Sequence, residues 1–279
     1  MTLLDAVAAL PVHYAKLSDG ATVRYREAGV ASHGATPAPV IVLLHGIGSG
    51  SASWVRQLMA AQPQAVRVLA WDAPGYADSS PVAAAQPVAA DYAQRLGLWL
   101  DALGVQQAHI VGHSLGCIMA ASFAKLYPHR ISQLTLLAPA QGYGAADPDV
   151  RSKKLNERLQ AIQTLGPQAL AQQRAPLLLS PQSHADEVQL ATAMMSQLNL
   201  AGYTQATHLL CNALIATDLQ QLSCLVQVAC GDQDTITPPA GCQALAASIG
   251  AHYTTLPGAG HLCAVQAAGE VNQLLGLTT

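Results

Sequence analysis

Short apolar runs rich in β-branched residues recur along the chain, separated by longer stretches in which apolar positions return every three or four residues. The clearest runs are residues 39–44 (PVIVLL), 66–71 (VRVLAW), 108–111 (AHIV), 134–137 (LTLL) and 225–230 (LVQVAC), with 252–256 a weaker sixth. Strand-like runs alternating with helical stretches predict a parallel sheet with crossover helices. Earlier, residues 14–17 and 22–26 flank the turn Ser18-Asp19-Gly20 and read as a hairpin entering the same sheet. The expected fold class is α/β, with about eight strands.

The texture changes at residues 142–222. β-Branched residues thin out, Gln, Leu and Ala dominate, and 152–165 (SKKLNERLQAIQTL) and 184–198 repeat apolar residues with the period of amphipathic helices. This predicts a helical cap of residues 142–222 over the sheet's C-terminal edge, with 1–141 and 223–279 forming the core domain. Met194 and Met195 are expected to pack inside the cap.

Composition narrows the range of partners. The chain has 279 residues, 51% of them hydrophobic and 10% charged, and a formal net charge of -3. No basic cluster marks a nucleic-acid or anionic-lipid surface. No apolar run approaches the length of a membrane span, and the N-terminus lacks the basic region of a secretory signal. Six cysteines lie scattered without a CxxC pair, in keeping with small buried hydrophobes in a cytoplasmic protein. The expected partner is a small molecule.

The chemistry concentrates at VGHSLGC, residues 111–117. A nucleophilic serine exposed on a sharp strand-to-helix turn needs glycine two positions before and after it, because side chains there would collide with each other and with the helix. Ser114 between Gly112 and Gly116 meets that condition. A hydroxyl also needs a base to take its proton and an acid to orient that base. His261 follows a late strand in the glycine-rich LPGAGHL, and Asp234 follows the strand at 225–230, in CGDQDTITP. Asp232 is the alternative acid, with loop bracing as its other use. The loop after the preceding strand, APAQGYG, holds no carboxylate. The histidines His13, His33, His109, His129, His184, His208 and His252 are expected at the surface or in packing.

Acyl transfer further requires donors aimed at the developing oxyanion. LLHGIGSG, residues 43–50, ends a strand in a glycine-rich turn whose amides a substrate can approach, so the N–H groups of Ile47 and Leu115 are the candidate pair. His45 is expected to brace this loop. The turn has neither GxGxxG nor GK[ST] spacing, which argues against a nucleotide. Gly46, His113 and Trp54 are assigned to substrate binding.

Taken in order, LLHGIGSGSASW, WDAPGYADSS, VGHSLGC, CGDQDTITP and GAGHL resemble the α/β-hydrolase fold superfamily over about residues 20–275. The resemblance implies a mostly parallel sheet of about eight strands flanked by helices with a helical cap, the triad Ser114, Asp234 and His261, an oxyanion hole at Ile47 and Leu115, and no cofactor or metal. It also implies that Asp72 braces a loop and that Trp54 packs beneath or beside the pocket. Residues 201–219 and the strand after them look like 3-oxoadipate enol-lactonases and related small esterases, although the nucleophile turn differs. HGIGSGSASW is also similar to meta-cleavage-product hydrolases, which usually place Trp after the catalytic His where this chain has Leu262. Haloalkane dehalogenases and epoxide hydrolases need a carboxylate at the position of Ser114. The implied activity is hydrolysis of a small ester or lactone in a mainly apolar pocket, with carbon–carbon hydrolysis and a non-catalytic ligand-binding role as alternatives.

Overall fold

In a computed structural model of the protein, the first half of the chain runs α1 (Leu3–Ala9), β1 (Val12–Lys16), β2 (Thr22–Gly29), β3 (Val40–Leu44), α2 (Val55–Ala61), β4 (Arg67–Trp71) and α3 (Ala89–Ala102). Then come β5 (Ala108–His113), α4 (Leu115–Leu126), β6 (Ile131–Leu137) and four cap helices, α5 (Pro148–Arg174), α6 (Ala185–Ser196), α7 (Leu200–Asn212) and α8 (Ile215–Asp218). The chain closes with β7 (Leu225–Gly231), α9 (Pro239–Ser248), β8 (His252–Leu256), α10 (Cys263–Gln266) and α11 (Ala268–Leu274). The structure describes residues 1–30, 32–33 and 36–277, with the backbone alone at 32, 33, 36 and 37, so the role expected of the His33 side chain lies outside the described residues.

Eight strands form one sheet in the order β1-β2-β4-β3-β5-β6-β7-β8. β2 is antiparallel to β1 and β4, and the remaining pairings are parallel. Val42, Leu43, Leu69, Ile110 and Leu136 have no exposed surface. Strands buried on both faces lose the alternation of a half-solvated strand, which is why these read as unbroken apolar runs. β5 runs on to His113, past the end of its apolar run, because Gly112 and His113 are themselves buried in the sheet.

The order of strands places the site. β4 lies on one side of β3 and β5 on the other, so the winding reverses between β3 and β5, and open α/β sheets bind ligands at the carboxyl ends of strands at such a point. Leu44 is level with Gly112 across that pair. The glycine-rich loop after β3 therefore leaves the sheet beside the serine turn after β5.

Residues 142–222 carry α5 to α8 and no strand among the described residues. Gly166, with φ 70° and ψ 166°, breaks α5 into two arms, and Pro167 follows it. α7 is fastened to the core. Asn199 Nδ2 donates to Gly75 O at 2.6 Å, and Gln205 Nε2 donates to Val82 O and Ala84 O, both at 2.9 Å. A Cβ at Gly202 would lie 1.9 Å from Gly75 O, so only glycine lets the two backbones come this close. α8 packs on α4 of the core layer.

All six cysteines are free thiols. No helix among the described residues is long and apolar enough to cross a membrane.

Candidate active site

Ser114 sits between the end of β5 and the first residue of α4 with φ 53° and ψ -115°. A non-glycine residue in this region costs on the order of 1–3 kcal/mol and persists only where the surroundings dictate it. Here they do: Ser114 N–H donates to Leu137 O at 3.0 Å, and Ser114 O accepts from Cys117 N at 3.0 Å and Ala140 N at 3.2 Å. A Cβ at Gly112 would meet Cys117 Cα, Cys117 N and Gly116 O, each at 2.6 Å, so the first glycine is needed for the turn into the helix, as its spacing suggests. The second differs. A Cβ at Gly116 would lie 2.1 Å from Leu44 O, so this glycine admits the end of β3 and the loop that follows.

That loop brings its amides alongside. A Cβ at Gly46 would be 3.0 Å from the Ser114 Cβ. Leu115 opens α4, where N–H groups have no intrahelical acceptor. Neither Leu115 N nor Ile47 N donates to another backbone group outside the regular elements among the described residues. His45 is buried beneath the loop, where its Nδ1 donates to Gly46 O at 2.8 Å and its Nε2 accepts from Ala73 N at 2.9 Å. Burial lowers its pKa, so it stays neutral in the tautomer these bonds require. Asp72 Oδ1 accepts from Ser51 N at 2.7 Å, and its Oδ2 pairs with Arg24. Both residues brace loops.

From the far side of the sheet, the segments after β7 and β8 bring in Asp234 and His261, the candidate acid and base. His261 Nδ1 donates to Asp234 Oδ2 at 2.8 Å. Asp234 Oδ1 accepts from Ile236 N at 2.7 Å and Thr237 N at 3.0 Å. Burial alone would raise the Asp234 pKa; the hydrogen bond and charge of His261, with the Thr237 donors, hold it below the usual carboxylate value. Asp232, the alternative acid, accepts from Gly258 N at 2.8 Å and so ties the loop after β7 to the loop after β8. The bonds of His261 run to Asp234, to Thr237 and, through its carbonyl, to His113; none reaches Ser114 Oγ. Nδ1 is committed, which leaves Nε2 for the serine. Such bonds are often long before substrate binds and tighten in the Michaelis complex.

Thr237 escapes sequence reasoning. Its hydroxyl donates to Asp234 Oδ2 at 2.8 Å and lies 3.2 Å from His261 Nδ1. The sole hint is its place in the turn three residues after the acid. Thr237→Val is expected to lower kcat about fivefold, the scale of one hydrogen bond near 1 kcal/mol, with KM little changed and Thr237→Ser restoring the rate. Steady-state kinetics of the two variants check this positioning role, and an unchanged kcat in Thr237→Val removes it.

Ser114, His261, Ile47, Leu115, Gly46 and His113 line one cavity of about 360 Å³. His113 Nε2 donates to His261 O at 2.7 Å. Burial, with the His261 ring beside it, pushes the His113 pKa down to about 3, so it holds the loop of His261 as a neutral ring. Trp54 is a correction. It is fully buried and off the cavity wall, packed beside the pocket with its ring centroid 6.4 Å from that of His113. Its place in the short 3-10 turn leading into α2 points the indole into the core. Met195 differs the other way: besides packing, it lines the cavity. The wall is mostly apolar, as expected, but it also holds Arg158, Arg174 and the tyrosines Tyr143 and Tyr203. Among the described residues no cluster of His, Cys, Asp and Glu has the arrangement of a metal site.

Residues 39–267 match the family model described as alpha/beta hydrolase fold. RutD of Escherichia coli, which carries a provisional carbamate-hydrolase name, is 28% identical over 246 residues, covering 85% of this chain and 90% of its own. A hydrolase from Pseudomonas aeruginosa is 28% identical and superposes with a TM-score of 0.80 over 96% of this chain and 99% of that one. An enol-lactonase from Burkholderia xenovorans is 22% identical, with a TM-score of 0.81 over 94% of this chain and 98% of that one. At that identity the likeness is one of fold.

Proposed function

This chain belongs to the α/β-hydrolase fold family, and on that premise we propose that it is a serine hydrolase cleaving a small-molecule carboxylic ester or lactone through an acyl-enzyme on Ser114. His261 Nε2 takes the proton of Ser114 as Oγ attacks the carbonyl. Asp234 holds the ring in the tautomer that leaves Nε2 free and stabilises the imidazolium that forms. The carbonyl oxygen becomes an oxyanion and accepts from Ile47 N–H and Leu115 N–H, dipoles already in place before charge develops. The protonated His261 then hands its proton to the leaving alkoxide. Water, deprotonated by the same nitrogen, cleaves the acyl-enzyme and restores Ser114.

The observation that carries this reading is a serine held at φ 53° in one cavity with an imidazole already oriented by a carboxylate. Six free thiols favour a cytoplasmic location. A carbamate presents the same carbonyl to the same serine, and the likeness to RutD gives it a place beside esters and lactones in any substrate panel.

A fluorophosphonate probe tests the reading. The intact protein is expected to form a covalent adduct on the peptide carrying Ser114, located by mass spectrometry, and to turn over members of an ester, lactone and carbamate panel. Absence of both labelling and turnover favours the binding-protein alternative.

A further inference from the structure

Arg158 is the charge that this catalytic scheme leaves unused. It sits on the first arm of α5 and faces the cavity that holds Ser114 and His261. Lys154 on the same arm pairs with Glu157, and at the edge of the cap Arg56 pairs with Glu187 and Lys125 with Asp218. Arg158 has none among the described residues. The groups facing it are the hydroxyls of Tyr203 and Tyr143. Arg174, at the end of the second arm, is another cation on the same wall, and no Asp or Glu lines the cavity among the described residues. Asp234, the carboxylate of the catalytic apparatus, is buried and spent on His261.

In this mainly apolar cavity the Tyr203 and Tyr143 groups beside Arg158 outweigh the cost of burial and hold its guanidinium charged, but as neutral phenols they bring no counter-charge. An anion entering the cavity restores the balance, since guanidinium and carboxylate match in charge and in planar geometry. We propose that the substrate carries a carboxylate remote from the scissile carbonyl, and that this carboxylate pairs with the Arg158 guanidinium, with the Tyr143 and Tyr203 hydroxyls beside it. The inference rests on the serine-hydrolase reading and deepens it: the substrate class becomes half-esters of dicarboxylic acids and lactones bearing an acid group. Arg158 selects the substrate, and Ser114 performs the chemistry.

Two probes separate this claim from the reading beneath it. The first is turnover of monoethyl adipate against its neutral counterpart ethyl hexanoate. The wild type is expected to favour the half-ester, and Arg158→Gln to reduce the ratio of the two kcat/KM values about 10- to 100-fold, the range of a charge-assisted hydrogen bond. The loss should fall on KM, with Arg158→Lys keeping part of the preference. The second probe is calorimetric titration of adipate into Ser114→Ala protein, with and without Arg158→Gln, which needs no turnover. Binding that weakens at least tenfold on loss of the guanidinium supports the site. A wild type that prefers the neutral ester, or a ratio unmoved in Arg158→Gln, overturns it even where Ser114-dependent hydrolysis stands. Should neither ester be hydrolysed and Ser114 resist labelling, the serine-hydrolase reading falls and the adipate titration decides the anion site alone, with no binding overturning it. Thermal melts establish that each variant is folded.

Discussion

Ser114→Ala is expected to lower kcat/KM on any ester the protein hydrolyses by roughly 10⁴- to 10⁶-fold, the scale on which triad nucleophiles are felt. What survives is the contribution of the oxyanion donors and substrate binding, neither of which the substitution touches. The effect should fall on kcat. Stability should hardly move, because among the described residues the Ser114 side chain makes no helix-capping hydrogen bond that alanine would forfeit, and alanine suffers the same backbone strain at φ 53°. A melting temperature within a few degrees of wild type, together with lost turnover and lost fluorophosphonate labelling, assigns the loss to chemistry. Retention of a tenth or more of the wild-type rate would sink the assignment.

The second large effect is expected in stability, on acidification. His113 is buried and His109 half-buried, with pKa values pushed down by desolvation to about 3 and about 4, and burial lowers that of His45. In the unfolded chain each titrates near 6.5. Above that value both states are neutral and the histidines cost nothing. As pH falls below it, the unfolded state takes up protons that the folded state refuses, so stability is lost, at about 1.4 kcal/mol per pH unit for each histidine fully in this regime. With His113 and His109 in this regime the slope approaches ~3 kcal/mol per unit, and His45 adds to it in the same sense. Asp234 acts in the same sense at lower pH, since its depressed pKa gives a stabilisation that disappears as pH falls through the folded value. Urea midpoints at pH 7, 6 and 5 should fall steeply, and His109→Gln should flatten the slope by about one proton. A midpoint that stays level from pH 7 to 5 would show that these rings are not held neutral.

The sheet was legible because its strands are buried on both faces and so carry unbroken runs of Val, Ile and Leu. The elbow was legible because a serine there tolerates only glycine on either side. Asp234 emerged partly by default, as the loop after β6 offers no carboxylate. Other features left no such trace. A charge on a cap helix reads the same whether it meets solvent or a cavity, so Arg158 was indistinguishable from Lys153 until the arm of α5 was placed over the site. Trp54 follows the loop that builds the site, and proximity in sequence suggested a contact that the turn into α2 directs elsewhere. Thr237 works through a hydroxyl in a turn where almost any polar residue would pass.

The two halves of the cap are attached to the core on unequal terms. Where Gly202 meets Gly75, backbone lies against backbone, so a change on either side demands a matching change on the other. The arm of α5 before Gly166 carries the selecting guanidinium and is under no such restriction, and of its side chains only Ile162 is fully buried. In a lineage of such proteins, diet can therefore change by drift in a single helical arm, while the bond-breaking apparatus and its other neighbours are inherited intact.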